Sequence, residues 1–406
     1  MTTNTLASGS RLQSLDVIRG IAILGILLMN IQVFSMIGQA YGNPTAYGDF
    51  SGANRWVWIF SHVLADQKFM TIFSLLFGAS MMLIIQGAQR KERSALGLHY
   101  RRNFWLLIIG LAHAYLIWYG DILTPYALCA LLLYPAYKLS PKAAIIIGAI
   151  LFTVPSVLET SLGLSMPYWP QEEILALQGD WLPRPELVQR EISAYQGSML
   201  EQLNMRAHTA FMLQTTVMPL HILWRVLGLM LMGMALFKTG FLGGGLSIIT
   251  YRRTALWAGL PGLALVLIGV VSNLQANFDI TYSMLLGSQW NYWGSLGMAL
   301  AYISLIILWV KSPAGQKLKA RFSAVGRMAL SNYLIQSLIG AFIFYGLGLF
   351  GEVSRVGQFL VVLGIWALQL TYSPWWMARF HYGPFEWAWR SLTQGKRQPW
   401  LKMRSC

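Results

Sequence analysis

Acidic residues are scarce: Asp and Glu fill 15 of 406 positions, and all charged residues together make up only 11%. Soluble domains carry about 25% charge, so a water-soluble globule of this length is excluded, as is a disordered chain. Cysteine is almost absent. Cys129, inside an apolar stretch, and Cys406 cannot form a disulfide framework or a four-ligand zinc site. The six His residues show neither HxxxH nor HExxH spacing, so no metal is expected.

Apolar residues dominate instead, at 56% of the chain, with a mean hydropathy of +0.51. A membrane-crossing helix takes about 20 of them. Candidates lie near 17–38, 67–88, 103–119, 121–138, 143–162, 210–237, 254–273, 291–310, 328–350 and 357–379. The pattern predicts an all-α, polytopic membrane bundle of about 10 (10–11) transmembrane helices. The first span follows Asp16 and Arg19 without a small-x-small cleavage signal and is expected to be retained. The apolar piece 56–64 is too short to cross and is expected to be interfacial or re-entrant.

Lys and Arg outnumber the acids by 15, which could indicate nucleic acid, but they sit in the short gaps between apolar runs. No nucleic-acid partner is expected. With the N terminus inside, 23 of them fall on the inner side and six on the outer, with Arg225 left within a span. This asymmetry follows the positive-inside rule and predicts both termini cytoplasmic. The chain divides into an N-terminal membrane half (1–163), a polar extracytoplasmic loop (164–206) and a C-terminal membrane half (207–406). The loop's spaced leucines predict short interfacial helices linking the halves. Gly340, Gly346 and Gly348 leave room for a homo-oligomer contact or for internal packing.

Ionisable groups within spans are costly and usually face a cavity or a partner. His113 lies 11 residues past Arg102, about 16 Å into a core about 30 Å thick. Asp121, at the outer end, could orient one ring nitrogen and leave the other as a general base, with Tyr119 nearby; a structural His bonded to a carbonyl is the alternative. Asn30, Asn332 and Gln336 could donate into a cavity or join helices. His221 and Arg225 share a helix face, and Arg225 requires a carboxylate or phosphate. Asp66 and Lys68 are expected to pair, with Lys68 also a candidate for substrate contact. The basic rims, represented by Arg101, Arg102, Lys317 and Arg327, could hold the phosphates of a nucleotide-like donor. The Phe69, Phe73, Phe77 stripe is expected to be packing.

Several motifs carry a family resemblance. Ser14-Leu15-Asp16-Val17-Ile18-Arg19-Gly20 with Met29-Asn30, Phe73-Ser74-Leu75-Leu76-Phe77-Gly78, and His113 with Tyr119-Gly120-Asp121 are three. Gly326-Arg327-Met328-Ala329-Leu330-Ser331-Asn332 and Gly383-Pro384-Phe385-Glu386-Trp387 complete the set. Together they resemble the YeiB family of bacterial inner-membrane proteins over residues 12–392. That family is distantly similar to transmembrane acyltransferases, including the lysosomal heparan-α-glucosaminide N-acetyltransferase. The resemblance implies acyl-CoA, acetyl-CoA in kind, as donor and an envelope glycan or small molecule as acceptor. The polysaccharide enzymes carry an Arg and, eleven residues on, a catalytic His; here Arg19 is followed by Asn30. The lysosomal enzyme's His, eleven further on, is replaced by Tyr41. Catalysis is therefore expected at His113, with Asp121 and Asn30. The alternative is a transporter or flippase for a small polar or lipid-linked solute, using the same buried groups as a relay.

Overall fold

The computed structural model describes residues 3–92 and 94–402, with side chains from residue 13 onward. Arg93, Arg404 and Cys406 lie outside the described residues, as does the Arg11 side chain. The chain begins with α1 (Thr3–Ser35), α2 (Gln39–Gly42), α3 (Gly52–Leu64) and α4 (Lys68–Gln89). α5 (Ala95–Ala112) continues as a π-helical turn to Ile117, α6 (Leu123–Leu133) as a 3-10 turn to Lys138, and α7 (Pro141–Ser165) follows. α8 (Gln171–Trp181) and α9 (Pro185–Gln196) lie in the polar loop, and α10 (Met199–Met212) leads out of it into the Met199–Lys238 segment. A π-helical stretch joins α10 to α11 (Leu223–Lys238). Then come α12 (Ile248–Gln275), α13 (Ile280–Ser283), α14 (Leu286–Lys311), α15 (Gln316–Arg327), α16 (Ala329–Ala341), α17 (Arg355–Arg379) and α18 (Pro384–Gln394).

Helix starts follow local chemistry. The hydroxyls of Ser94, Ser140, Ser247 and Ser354 accept from backbone amides three residues on, and Ser198 with Glu201 forms a capping box. Among the described residues, eight helical segments are long and apolar enough to cross a membrane. The expected spans 103–119 and 121–138 are not among them. They form the shorter α5–α6 hairpin, whose turn is buried beneath α9 and α10 instead of reaching the surface. The loop helices are thus more than an interfacial linker. α9 buries Ile192 and Tyr195 in the core around Phe34 and Trp118.

Residues 56–64 fall in α3, which is separated from α4 by a break at Gln67, held at a left-handed φ of 63°. The two expected halves interlock through glycines. Gly78 on α4 and Gly233 on α11 each face the other helix's backbone, as do Gly148 on α7 and Gly228 on α11. Gly340 packs internally on Phe34, which accounts for one of the three small residues without an oligomer. One end of the bundle collects the basic loops before α5, α7, α12 and α15 and after α17; the other carries α2 and α8–α10.

Candidate functional site

The α5–α6 hairpin builds the first element. Trp118 leaves helical geometry with its amide bonded to the His113 carbonyl (2.9 Å), and the chain turns back within five residues. Asp121 then starts α6, accepting from the amides of Leu123 (3.1 Å) and Thr124 (2.7 Å). The same carboxylate meets His113 Nδ1 at 2.9 Å, and both side chains are 1% exposed. A carboxylate at Nδ1 favours the proton there and leaves Nε2 as the acceptor. That Nε2 is buried with no hydrogen-bond partner. The ring packs against Tyr333 (centroids 5.1 Å) and Trp118 (6.3 Å).

From the basic end a cavity of about 340 Å³ runs inward to Ile122, Leu123 and Tyr333. It stops one ring short of His113, which is not part of its lining. The Tyr333 hydroxyl accepts from the Ile122 amide at 3.3 Å. Four guanidinium groups surround the basic end of the cavity, from Arg19, Arg102, Arg327 and Arg390. Arg19 is paired with Asp16 (3.0 Å) and donates to Ser80 (3.2 Å). The other acid there, Glu386, is engaged by the amide (3.0 Å) and hydroxyl of Ser331, docking α18 against the start of α16. Arg102 lies flat on Trp389, 3.8 Å from the ring centroid. Among the described residues, Arg102, Arg327 and Arg390 form no ion pair. Several unpaired arginines around a concavity are suited to a multiply charged anion, because the planar guanidinium matches phosphate oxygens bidentately. Phe73 and Phe77, expected to be packing alone, form part of its apolar wall.

Of the residues expected to hold a donor, Arg102 and Arg327 reach this cavity, while Arg101 and Lys317 are exposed outside it. Arg19, Arg390 and Trp389 were not assigned to it from sequence; the signal available was their position in or beside the motifs at Arg19 and Gly383–Trp387. Asn332 and Gln336 do not open into the cavity. Asn332 Nδ2 donates to Val325 O (3.0 Å) and Ser373 Oγ (3.3 Å), and Gln336 Nε2 to Ile23 O (3.3 Å) and Gln369 Oε1 (2.8 Å). Their face of α16 is turned toward α1, α15 and α17, so they join helices. Asn30 is part-exposed, one turn before Phe34, which stacks on Trp118 at 4.1 Å.

Two further expectations are corrected. Asp66 and Lys68 form no direct ion pair; both side chains turn to one neighbour on α14. Asn291 bridges them instead, accepting from Lys68 Nζ (2.5 Å) and donating to Asp66 Oδ2 (2.7 Å). Tyr41 and His62 complete the Asp66 shell at 2.8 and 3.1 Å. Arg225 is not held by a carboxylate or located near the basic cavity. Its guanidinium donates to Gln67, Thr71 (3.2 Å) and Ser295 (3.0 Å) and lies over the Tyr292 ring. Its helix neighbour His221 pairs with Glu159 at 2.5 Å.

At the opposite end, α8–α10 and Gln39 enclose a second cavity of about 590 Å³. Asp180, Arg190, Glu191, Glu201 and His208 line it. Glu191 also accepts from the Gly38 amide at 3.4 Å, and burial pushes its carboxyl up to about 7. Its folded pKa is above the unfolded value, so its contribution to stability is complete below about 4.5 and is lost as pH rises through about 7. Thermal unfolding of the wild type is expected to fall in midpoint between pH 5 and 8. Glu191→Gln should flatten that slope, and an unchanged slope refutes the assignment.

No solved structure matches this chain. The model of the family described as "Protein of unknown function (DUF418)" matches residues 236–396, which include Arg327, Tyr333 and the α18 wall of the basic cavity. Relatives extend the match over the rest. "Uncharacterized protein YeiB" from Escherichia coli (strain K12) is 32% identical over 397 residues, covering 94% of this chain and 95% of its own. "Uncharacterized protein YxaH" of Bacillus subtilis (strain 168) is 30% identical over 419 residues, covering 97% of each. With eight membrane-length helices among the described residues and bacterial relatives aligned nearly end to end, the chain is a membrane protein of the YeiB family.

Proposed function

We propose that this protein is a membrane acyltransferase. It takes an acyl thioester of coenzyme A from the basic, cytoplasmic end and passes the acyl group to an acceptor arriving at the other end. The supporting observation is the arginine-rimmed cavity, which leads from the basic end to Tyr333, the ring packed on His113. The phosphates meet Arg102, Arg327 and Arg390, and the pantetheine arm follows the wall of Phe73 and Phe77. Tyr333 swings aside to admit the thioester, giving up its 3.3 Å bond to Ile122 and its packing on His113.

His113 Nε2 takes the proton from the acceptor hydroxyl or amine, while Asp121 holds the ring and stabilises the imidazolium that forms. The acceptor oxygen or nitrogen bonds to the carbonyl carbon, the carbon–sulfur bond breaks, and the departing thiolate receives the proton from His113. Asn30 is assigned as hydrogen-bond donor to the developing oxyanion. Enclosure away from water suppresses hydrolysis of the thioester. Positive-inside topology puts both termini in the cytoplasm.

A transporter or flippase is the second reading. It is favoured by the helix break at Gln67, flanked by buried Asp66 and Lys68, since broken helices carry solute sites in transporters. Calorimetric titration of the purified protein with coenzyme A separates the two. Saturable binding is expected, weakened about tenfold by Arg102→Ala or Arg390→Ala, as for loss of one charge-assisted hydrogen bond. Absence of saturable binding to coenzyme A and to acetyl-coenzyme A overturns the acyltransferase reading.

A further inference from the structure

Arg355, the first residue of α17, is 1% exposed and commits most of its guanidinium to one loop. Nη1 donates to the Asp49 carbonyl (2.8 Å) and Nη2 to those of Pro44 (2.7 Å) and Tyr47 (3.2 Å), with the Phe50 ring 5.6 Å away. The chain between α2 and α3 is thereby fixed to α17. The Asn54 side chain, accepting from the Val356 amide at 3.1 Å, adds a second tie. Arg355 Nε is left over: it is buried and has no hydrogen-bond partner.

Two more atoms share that condition. Gln32 on α1 (5% exposed) and Gln358 on α17 (1%) each bury an Oε1 without a partner. Gln358 Nε2 is committed to the Val353 carbonyl at 3.0 Å, so Oε1 is the end left to bond. Gln32, Arg355 and Gln358 line one small cavity between α1, α3 and α17, closed by Ser61 and by apolar side chains such as Leu28 and Val362. About 10 Å³ of it is open to the centre of a water-sized sphere, which is room for one water molecule and no more. Buried polar atoms in native proteins seldom go unpaired, because each one left so carries its full desolvation cost.

We propose that this cavity is a binding site for a single water molecule, which accepts from Arg355 Nε and donates to Gln32 Oε1 and Gln358 Oε1. The partners select the occupant. An arginine Nε only donates and an amide oxygen only accepts, so one small centre must supply an acceptor and two donors together. Water has both. Chloride offers no donor to the amide oxygens. A sodium or ammonium ion would face a guanidinium with no carboxylate among the lining residues described. Three hydrogen bonds are the usual complement of a buried water. The water joins α1 to α17 and, through Arg355, to the loop leading into α3. The site shares no residue with the basic cavity and holds whether or not the protein transfers acyl groups.

The test has a direct arm and an energetic one, both on the full chain in nanodiscs. An experimental density map fine enough to show ordered waters should carry a peak within hydrogen-bond distance of all three atoms. An empty site between side chains so placed overturns the proposal. Thermal unfolding of Gln32→Met supplies the second arm, because the sign of the shift discriminates. Gln32 Oε1 has no protein partner to lose. Without the water, methionine replaces an unpaired buried oxygen by an apolar group of similar size, and the midpoint should hold or rise. With it, one of the three bonds is removed and the midpoint should fall by a few degrees. Gln358→Met should also lower the midpoint, and the double variant should lose less than the sum, since both changes act on one molecule. Circular dichroism and elution volume like the wild type's report that the variants fold. A Gln32→Met protein as stable as the wild type, or strictly additive losses, would mean that the two glutamines share no ligand, and the site falls.

Discussion

His113→Gln is expected to lower acyl transfer by about 10²–10⁴-fold while leaving coenzyme A affinity within twofold. A positioned general base contributes rate factors of that order, equivalent to about 3–5 kcal/mol of barrier at 1.36 kcal/mol per decade. Glutamine approximates the ring in size and can still reach Asp121, so the hairpin keeps its buried contact. It has no proton-accepting nitrogen in place of Nε2. Asp121 does two jobs, and its variants separate them. It caps α6 through the amides of Leu123 and Thr124 and orients the His113 ring through Nδ1. Asp121→Asn can keep accepting at the cap, a function worth about 1 kcal/mol, while losing the negative charge that stabilises an imidazolium. Transfer should fall well beyond any loss of thermal stability. The measurement is single-turnover transfer of labelled acetyl from acetyl-coenzyme A, run beside thermal unfolding. If His113 is only packing, His113→Gln lowers the unfolding midpoint while the folded fraction turns over at the wild-type rate, and the assigned base is then wrong.

How far the sequence is legible depends on what each feature requires. The bundle is readable because apolar runs of span length in a chain with so little charge have few other fates. The breaks within it are less so. Nothing in the residues around Gln67 announces a left-handed turn, and the α5–α6 hairpin resembles two ordinary spans until α9 is seen covering its end. The His113–Asp121 hydrogen bond is within reach of sequence because both partners flank one tight turn. The arginines are harder to sort. Positive-inside topology places many basic residues at one end, and only the rotation of each helix about its axis decides which face inward. Arg102 and Arg101 differ in just that respect. Asn332 and Gln336 show the converse: spacing puts them on one face of α16, but which neighbour that face meets is a tertiary fact.

Gly326→Ala should be among the most destabilising single-methyl changes in the protein. A β-carbon on Gly326 would fall 1.9 Å from the Asp16 carbonyl oxygen, and one on Gly20 would fall 2.0 Å from that of Phe322. The two backbones touch, so no side chain can yield, and α1 and α15 must separate by more than an ångström. Overpacking typically costs 1–3 kcal/mol, and a backbone-on-backbone clash belongs at the upper end, about 3 kcal/mol. The same contact sets the geometry of the basic cavity, because Arg19 and Arg327 are the immediate neighbours of the two glycines. Coenzyme A affinity should therefore fall along with stability. Gly364 on α17 is the control: a β-carbon there meets nothing within 4 Å, so Gly364→Ala should be neutral or stabilise by up to about 1 kcal/mol through helix propensity. Gly20→Ala should resemble Gly326→Ala, and the double variant should cost less than the sum, since one displacement relieves both clashes. Thermal unfolding of the four variants in one detergent decides it. A Gly326→Ala protein as stable as Gly364→Ala would mean that α1 and α15 do not meet through these glycines, and that the arginine spacing around the cavity is set by some other contact.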